Sequence, residues 1–212
     1  MNFNALLDVV GEEPVFDSNL LLAGKVDPAS VRLQLSRWVN NGRVQRLRRG
    51  VYAIAPPYRK VTPHPFLVAN RLQRASYVSL QSALAFHGMI PEVLHIVTSV
   101  TAGRPERLET PLGVFEFRHV RPGLLTGYQM TDMGGQQAFV ATPGKALLDL
   151  IYLTPGGASE GYLRGLRLQN LDHLDLDRLN EQAEVFGSPK MRTATRRISR
   201  LAQEEMQEYE EL

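Results

Sequence analysis

Cysteine is absent from this 212-residue chain. That excludes disulfides, thiolate metal sites and a cysteine nucleophile, and it fits a reducing compartment. Long apolar runs are absent as well. No stretch approaches the roughly 20 residues that cross a bilayer as a helix. The opening Met1-Asn-Phe-Asn-Ala-Leu-Leu-Asp8 lacks the charged start and apolar core of a secretory signal. The expectation is a soluble protein of the cytoplasm with no membrane partner.

The most informative absence is local. From Pro28 to Pro91 there is no Asp or Glu, whereas ten residues are Arg or Lys. The whole chain carries a net charge of only +2, and Glu204, Glu205, Glu208, Glu210 and Glu211 crowd its end. The basic character is therefore a patch. The bland reading is a solvated face with chance clustering. The functional reading is a surface that holds a polyanion. Apolar residues make up 43% and charged residues 22%, ordinary for a chain that buries a real core.

What is present reads as a succession of short elements. Phe3, Leu6, Leu7 and Val10 recur at helical spacing over 2–10. Asp17 or Ser18 caps a second short helix through Leu22, ended by Gly24. Asp27 is an N-cap and Pro28 a first-turn proline for a third helix, which Gly42 ends. Arg43 to Ile54 reads as a hairpin turning near Arg48-Arg49-Gly50, and Pro56-Pro57 closes the unit. A polar, proline-rich linker over 59–65 follows. Helices are expected over 63–74 and from Ser79 to His87, with Gly88 as the stop. The stretch 94–140 is strand-rich, with turns at Thr110-Pro-Leu-Gly113 and Gly134-Gly135. Thr142-Pro143 opens a helix to Leu153, and 159–168, 176–186 and Pro189 onward read as helices, so 143–212 is helical.

This pattern predicts an α+β protein. An N-terminal winged helix-turn-helix occupies residues 1–58. An α+β domain with a helical C-terminal section occupies 59–212. In the third helix Val31, Leu35, Trp38 and Val39 share one face, which is expected to pack inward. The opposite face carries Ser30, Leu33, Arg37 and Asn40, with Arg32 and Gln34 on its flanks. Arg grips guanine bidentately and Gln reads adenine, so these residue types suit a major groove. Leu33 either touches a thymine methyl or packs on a neighbouring element. The hairpin adds Arg43, Arg46, Arg48 and Arg49, with Lys60 just beyond. Phosphates relieve the mutual repulsion of such a cluster. The expected DNA-binding residues are thus Ser30, Arg32, Leu33, Gln34, Arg37, Arg43, Arg46, Arg48, Arg49 and Lys60. Winged helices also serve as pure protein-binding modules.

Signals for catalysis are missing. His64, His87, His95, His119 and His173 show no paired metal-helix spacing. His95 and His119 fall in expected strands and could meet across a sheet, but a satisfied structural role is the stronger reading for each. Ser79, His87 and Asp149 lack the Gly-x-Ser-x-Gly elbow, and an N-cap role suffices for Ser79. Lys25, Lys60, Lys145 and Lys190 are preceded two residues earlier by Ala23, Tyr58, Pro143 and Ser188, so the acid-x-Lys pattern of many nucleases is absent. Asp175 and Asp177 read as caps of the helix that follows. Gly134-Gly135 and Gly156-Gly157 lack the Lys-Ser/Thr of a phosphate loop. Lys145 and Asp149, four apart on one helix, read as an ordinary surface or interface pair. No catalytic residue, metal site or cofactor is expected.

Five stretches occur together in order. They are Arg48-Arg-Gly-Val-Tyr-Ala-Ile54, Tyr77-Val-Ser-Leu-Gln-Ser-Ala-Leu-Ala-Phe-His-Gly-Met-Ile-Pro91, Val97-Thr-Ser-Val-Thr-Ala-Gly-Arg104, Glu109-Thr-Pro-Leu-Gly-Val-Phe-Glu-Phe-Arg-His119 and Ala141-Thr-Pro-Gly-Lys-Ala-Leu-Leu-Asp-Leu150. Over about residues 1 to 155 the chain resembles the AbiEi family, antitoxin and regulator proteins of abortive-infection type IV toxin–antitoxin systems. The resemblance implies a winged-helix domain that represses its own operon at promoter inverted repeats in double-stranded DNA. It also implies a second domain that counteracts a nucleotidyltransferase toxin. Binding to inverted repeats implies a dimer on DNA. The family often has Glu where this chain has Gly144, a change that weakens a helix slightly. The alternative is a winged-helix transcription factor whose second domain binds a small ligand or a protein, with no toxin involved.

Overall fold

The first 54 residues fold around one helix whose ends are written into the sequence. Helix α2 (Pro28–Asn40) starts where Asp27 accepts hydrogen bonds from the Ala29 and Ser30 amides at 3.2 and 2.9 Å. It stops at Asn41, and Gly42 follows in the left-handed region at φ +67°. Helix α1 (Phe3–Val10) is capped by Asn2, whose side chain accepts from the Ala5 amide at 2.8 Å. A single 3-10 turn covers Ser18–Leu22. It stands where a helix is expected, and the expected stop at Gly24 lies outside the described residues. Strands β1 (Phe16–Asp17), β2 (Val44–Arg48) and β3 (Val51–Ile54) form a small sheet in the order β1-β3-β2. The computed structural model describes residues 1–22, 26–92 and 94–210.

Two apolar clusters explain how this unit sits on the rest. Phe3, Leu6, Val10, Phe16, Leu21, Val31, Leu35, Trp38, Val44 and Ile54 form one core. Val15, Leu47, Val51 and Ala53 instead belong to the large core of the remaining chain. The β2–β3 hairpin is shared between the two. Ion pairs reinforce the seam: Arg71 lies 3.4 Å from Glu13 and Arg74 lies 2.6 Å from Asp17.

The remaining chain is mixed α and β. Its sheet holds β4 (Ser76–Val78), β5 (Ile96–Thr101), β6 (Glu106–Thr110), β7 (Gly113–His119), β8 (Tyr128–Asp132) and β9 (Gln137–Ala141). The order is β6-β7-β5-β4-β9-β8. The β5–β7 and β4–β9 pairs are parallel and the other three are antiparallel. Helix α3 (Pro65–Leu72) lies on β4 and β9, and α4 (Leu80–Phe86) lies on β5. Helix α5 (Pro143–Leu153) is packed between α4 and the later α7 (Leu176–Phe186) and α8 (Pro189–Glu210), with the short α6 (Glu160–Gly165) preceding them. A Cβ on Gly144 would stand 3.2 Å from a Leu179 methyl, so the small residue lets α7 approach α5. That seat explains the glycine better than any loss of helix propensity.

His95 and His119 do not meet across the sheet. Strands β5 and β7 are parallel, with Ile96 opposite Val114 and Thr101 opposite His119. The two histidines therefore stand at opposite ends of the pair. The His119 ring is held by the Gly103 carbonyl at 2.8 Å.

His64 caps α3 as a neutral ring. Its Nδ1 accepts from the Phe66 amide at 3.2 Å, and partial burial holds its pKa below the ordinary value. A proton on Nδ1 abolishes that acceptor. The folded state thus binds this proton less readily than the unfolded chain. Its contribution to stability is full above the unfolded value of about 6.5 and declines as pH falls below it. Melting temperatures recorded between about pH 7.5 and 5 should fall, and His64→Asn, which keeps an acceptor, should flatten the curve. An unchanged slope in that variant would remove the assignment.

Candidate nucleic-acid interface

Helix α2 buries Val31, Leu35 and Trp38, while Val39 is half-buried. Arg32, Leu33, Ser36, Arg37 and Asn40 face solvent. Leu33 is 54% exposed, so the packed alternative for it does not hold. On the hairpin, Arg43, Arg46 and Arg49 are exposed, as is Lys60 beyond it. Gly50 makes the turn possible at φ +84°. The register shifts between Arg46 and Arg48, where Leu47 turns into the large core. Among the described residues no carboxylate lies within ion-pair distance of Arg32, Arg37, Arg43, Arg46, Arg49 or Lys60.

Six of the expected contact residues are engaged within the chain, Arg32 among them by donating to the Pro28 carbonyl at 3.2 Å. The Ser30 hydroxyl donates to Asp27 at 2.8 Å and completes the N-cap. These bonds hold the Asp27 carboxyl below its ordinary pKa, the Ser30 side chain being the largest cause. Gln34 donates to the Met1 carbonyl at 3.1 Å and accepts from Arg37 at 3.4 Å. The Arg43 guanidinium rests 5.0 Å from the centre of the Phe3 ring, yet stays exposed. Arg48 turns inward. It donates to the Leu72 carbonyl and sits 3.5 Å from Glu106 on β6. Arg48 is thus a strut between the hairpin and the large sheet, a role the arginine cluster hides in the sequence.

A second polar constellation is closed to solvent. Lys145 and Asp149 on α5 are 1% and 0% exposed, which corrects their reading as a surface or interface pair. The Lys145 ammonium donates to Asp149 Oδ1 and to the Tyr77 hydroxyl. Asp149 Oδ2 accepts from Tyr77 at 2.9 Å and from Ser79 at 2.8 Å. The Tyr77 and Phe186 rings each lie 5.2 Å from the ammonium. Burial pushes the Asp149 carboxyl up and the Lys145 ammonium down, while their mutual attraction opposes both shifts. Burial also raises the Tyr77 phenol, with Asp149 adding to it.

Ser79 therefore does not cap α4 with its hydroxyl, although it occupies the N-cap position. His87, the third residue of the rejected triad, bonds to the Ala141 carbonyl at 2.8 Å and stands apart from Ser79 and Asp149. The cluster ties β4 to α5. It also fixes the turn into α4, where Leu80 adopts φ +57°. Such a left-handed residue costs about 1–2 kcal/mol, so the surrounding bonds must over-determine it. The clue in the sequence is that Ala146-Leu-Leu148 and Leu150-Ile151 leave α5 apolar all round. A charge on such a helix can only be buried.

No protein-family model and no curated protein matches the chain. Among the described residues no group of His, Asp or Glu is placed to hold a metal ion. None of their helices is long and apolar enough to cross a membrane.

Proposed function

We propose that the chain is a DNA-binding transcriptional repressor of winged helix-turn-helix type that also acts as the antitoxin of a type IV toxin–antitoxin pair. The observation that carries the DNA half is that Arg32 and Arg37 of α2 and Arg43, Arg46 and Arg49 of the hairpin after it are exposed, none within ion-pair distance of a carboxylate among the described residues. The order of helices and strands over the first 54 residues supports the winged-helix reading. Helix residues read bases, with Arg37 the best guanine reader, while Arg43, Arg46, Arg49 and Lys60 grip phosphates. The Arg48 strut fixes the hairpin on the large sheet. The antitoxin half and the promoter inverted repeats rest on the resemblance to the AbiEi family.

A reporter fused to the DNA upstream of the chain's own gene tests repression. Expression should fall when the chain is supplied and recover with Arg37→Ala. Unchanged expression with the intact chain would remove the repressor half. Co-expression with a neighbouring nucleotidyltransferase-like gene tests the other half, because growth should be restored. Persistent toxicity would remove it.

A further inference from the structure

The two edges of the six-stranded sheet are built differently. Edge strand β6 carries Glu106, Arg107 and Glu109, and Arg48 of the hairpin leans on Glu106. Charges and a covering element are the usual protection of a strand edge. Edge strand β8 reads Tyr128-Gln-Met-Thr-Asp132, with a single charged residue and, among the described residues, no hydrogen-bonded strand on its outer side. It holds no Lys, Arg or Pro, and it pairs with β9 without a bulge. Its one acid, Asp132, is occupied by the Gly134 and Gly135 amides of its own turn at 3.2 and 3.0 Å.

The free side of β8 has a definite register. The Met133 amide donates to the Gln136 carbonyl across the turn at 2.6 Å. Backbone groups alternate along an antiparallel strand, so those of Tyr128, Met130 and Asp132 point away from β9. The side chains of these residues share one face with Phe139. Met130 is 60% exposed and Tyr128 and Phe139 are each 41% exposed. That face opens on a groove of about 930 Å³ bounded by Met130, Phe139, Leu67, Arg71, Arg74 and Glu13.

We propose that β8 is a self-association edge: it pairs antiparallel with β8 of a second copy of this chain about a two-fold axis at Met130. The register favours this occupant. Met130 then exchanges both backbone bonds with the partner's Met130, and Tyr128 does so with the partner's Asp132. No like charges face each other, because Asp132 meets an aromatic ring. The partner's Met130 and Tyr128 emerge on the same face and border the groove. A single five-residue strand is a small interface, short of the roughly 1,000 Å² that a stable complex clears. The dimer is therefore weak on its own and depends on concentration. A weak two-fold dimer is what cooperative binding to inverted repeats requires, although the pairing itself does not rest on the DNA reading.

Sedimentation velocity of the full chain without DNA, from about 1 µM to 1 mM, tests this. The intact chain should shift from monomer toward dimer across that range. Met130→Pro removes an outward amide and spares the bonds to β9, so it should weaken association at least about tenfold. Met130→Lys sets two ammonium groups against each other and should do the same. Met130 is solvent-facing, and unchanged circular dichroism of both variants would show that the fold survives. Monomer at every concentration, or dimerisation unaltered in both variants, would overturn the proposal. So would crosslinks between copies that bypass β8. A single half-site duplex should bind Met130→Pro as well as the intact chain, so a failed DNA reading and a failed dimer give different results.

Discussion

Asp149→Ala is expected to destabilise the fold by about 3–5 kcal/mol, because it strands a buried ammonium and two buried hydroxyls. Lys145, Tyr77 and Ser79 all lose an acceptor in the same substitution. For a chain of this size that is a fall of roughly 10 °C in the melting midpoint. The double variant Lys145→Met with Asp149→Leu should recover much of the loss, since apolar residues of similar volume tolerate such a site. Denaturant melts of the two singles and the double close the cycle. A surface pair of the same sequence spacing would give less than about 1 kcal/mol and additive effects. That outcome would show that the cluster is not the closed core described above.

Arg46→Ala combined with Arg49→Ala is expected to weaken DNA binding and flatten its salt dependence. Each lost phosphate contact removes about 0.9 from the slope of log affinity against log salt, so two remove about 1.8. Arg48→Ala should behave differently. Its guanidinium is spent on the Leu72 carbonyl and Glu106, so the salt slope should hardly change. What should change is the seating of the hairpin, read as a lower melting temperature. Equal slopes for the Arg46/Arg49 pair and the intact chain would contradict the phosphate assignment. A loss of slope in Arg48→Ala alone would contradict the strut.

The contrast between Arg48 and its neighbours shows where sequence reasoning stops. Caps and turns are local, so Asp27, Ser159 and Asp175 announce their helices and Gly50 and Gly134-Gly135 their hairpins. The mixed α and β class follows from them. Strands β1 and β4 escape, because two and three residues carry no period. Ser76-Tyr-Val78 becomes a strand only because β5 and β9 flank it. The inward turn of Arg48 depends on Leu72 and Glu106, distant in the chain. The Lys145–Asp149 pair is an intermediate case. Its spacing is local and gives the contact, while its burial depends on the helices packed around α5. An all-round apolar helix is a local sign of that burial, and it outweighs the habit of placing charged pairs on surfaces.

The proposed function requires that the exposed arginines of α2 and its hairpin bind duplex DNA. Fluorescence anisotropy of a labelled duplex from the chain's own upstream region, against a scrambled duplex, measures it directly. At about 50 mM salt both duplexes should bind, and at about 200 mM only the upstream duplex should remain bound. Arg37→Ala should erase that preference while keeping the low-salt binding. No binding of either duplex by the intact chain at about 50 mM salt would remove the DNA half of the proposed function.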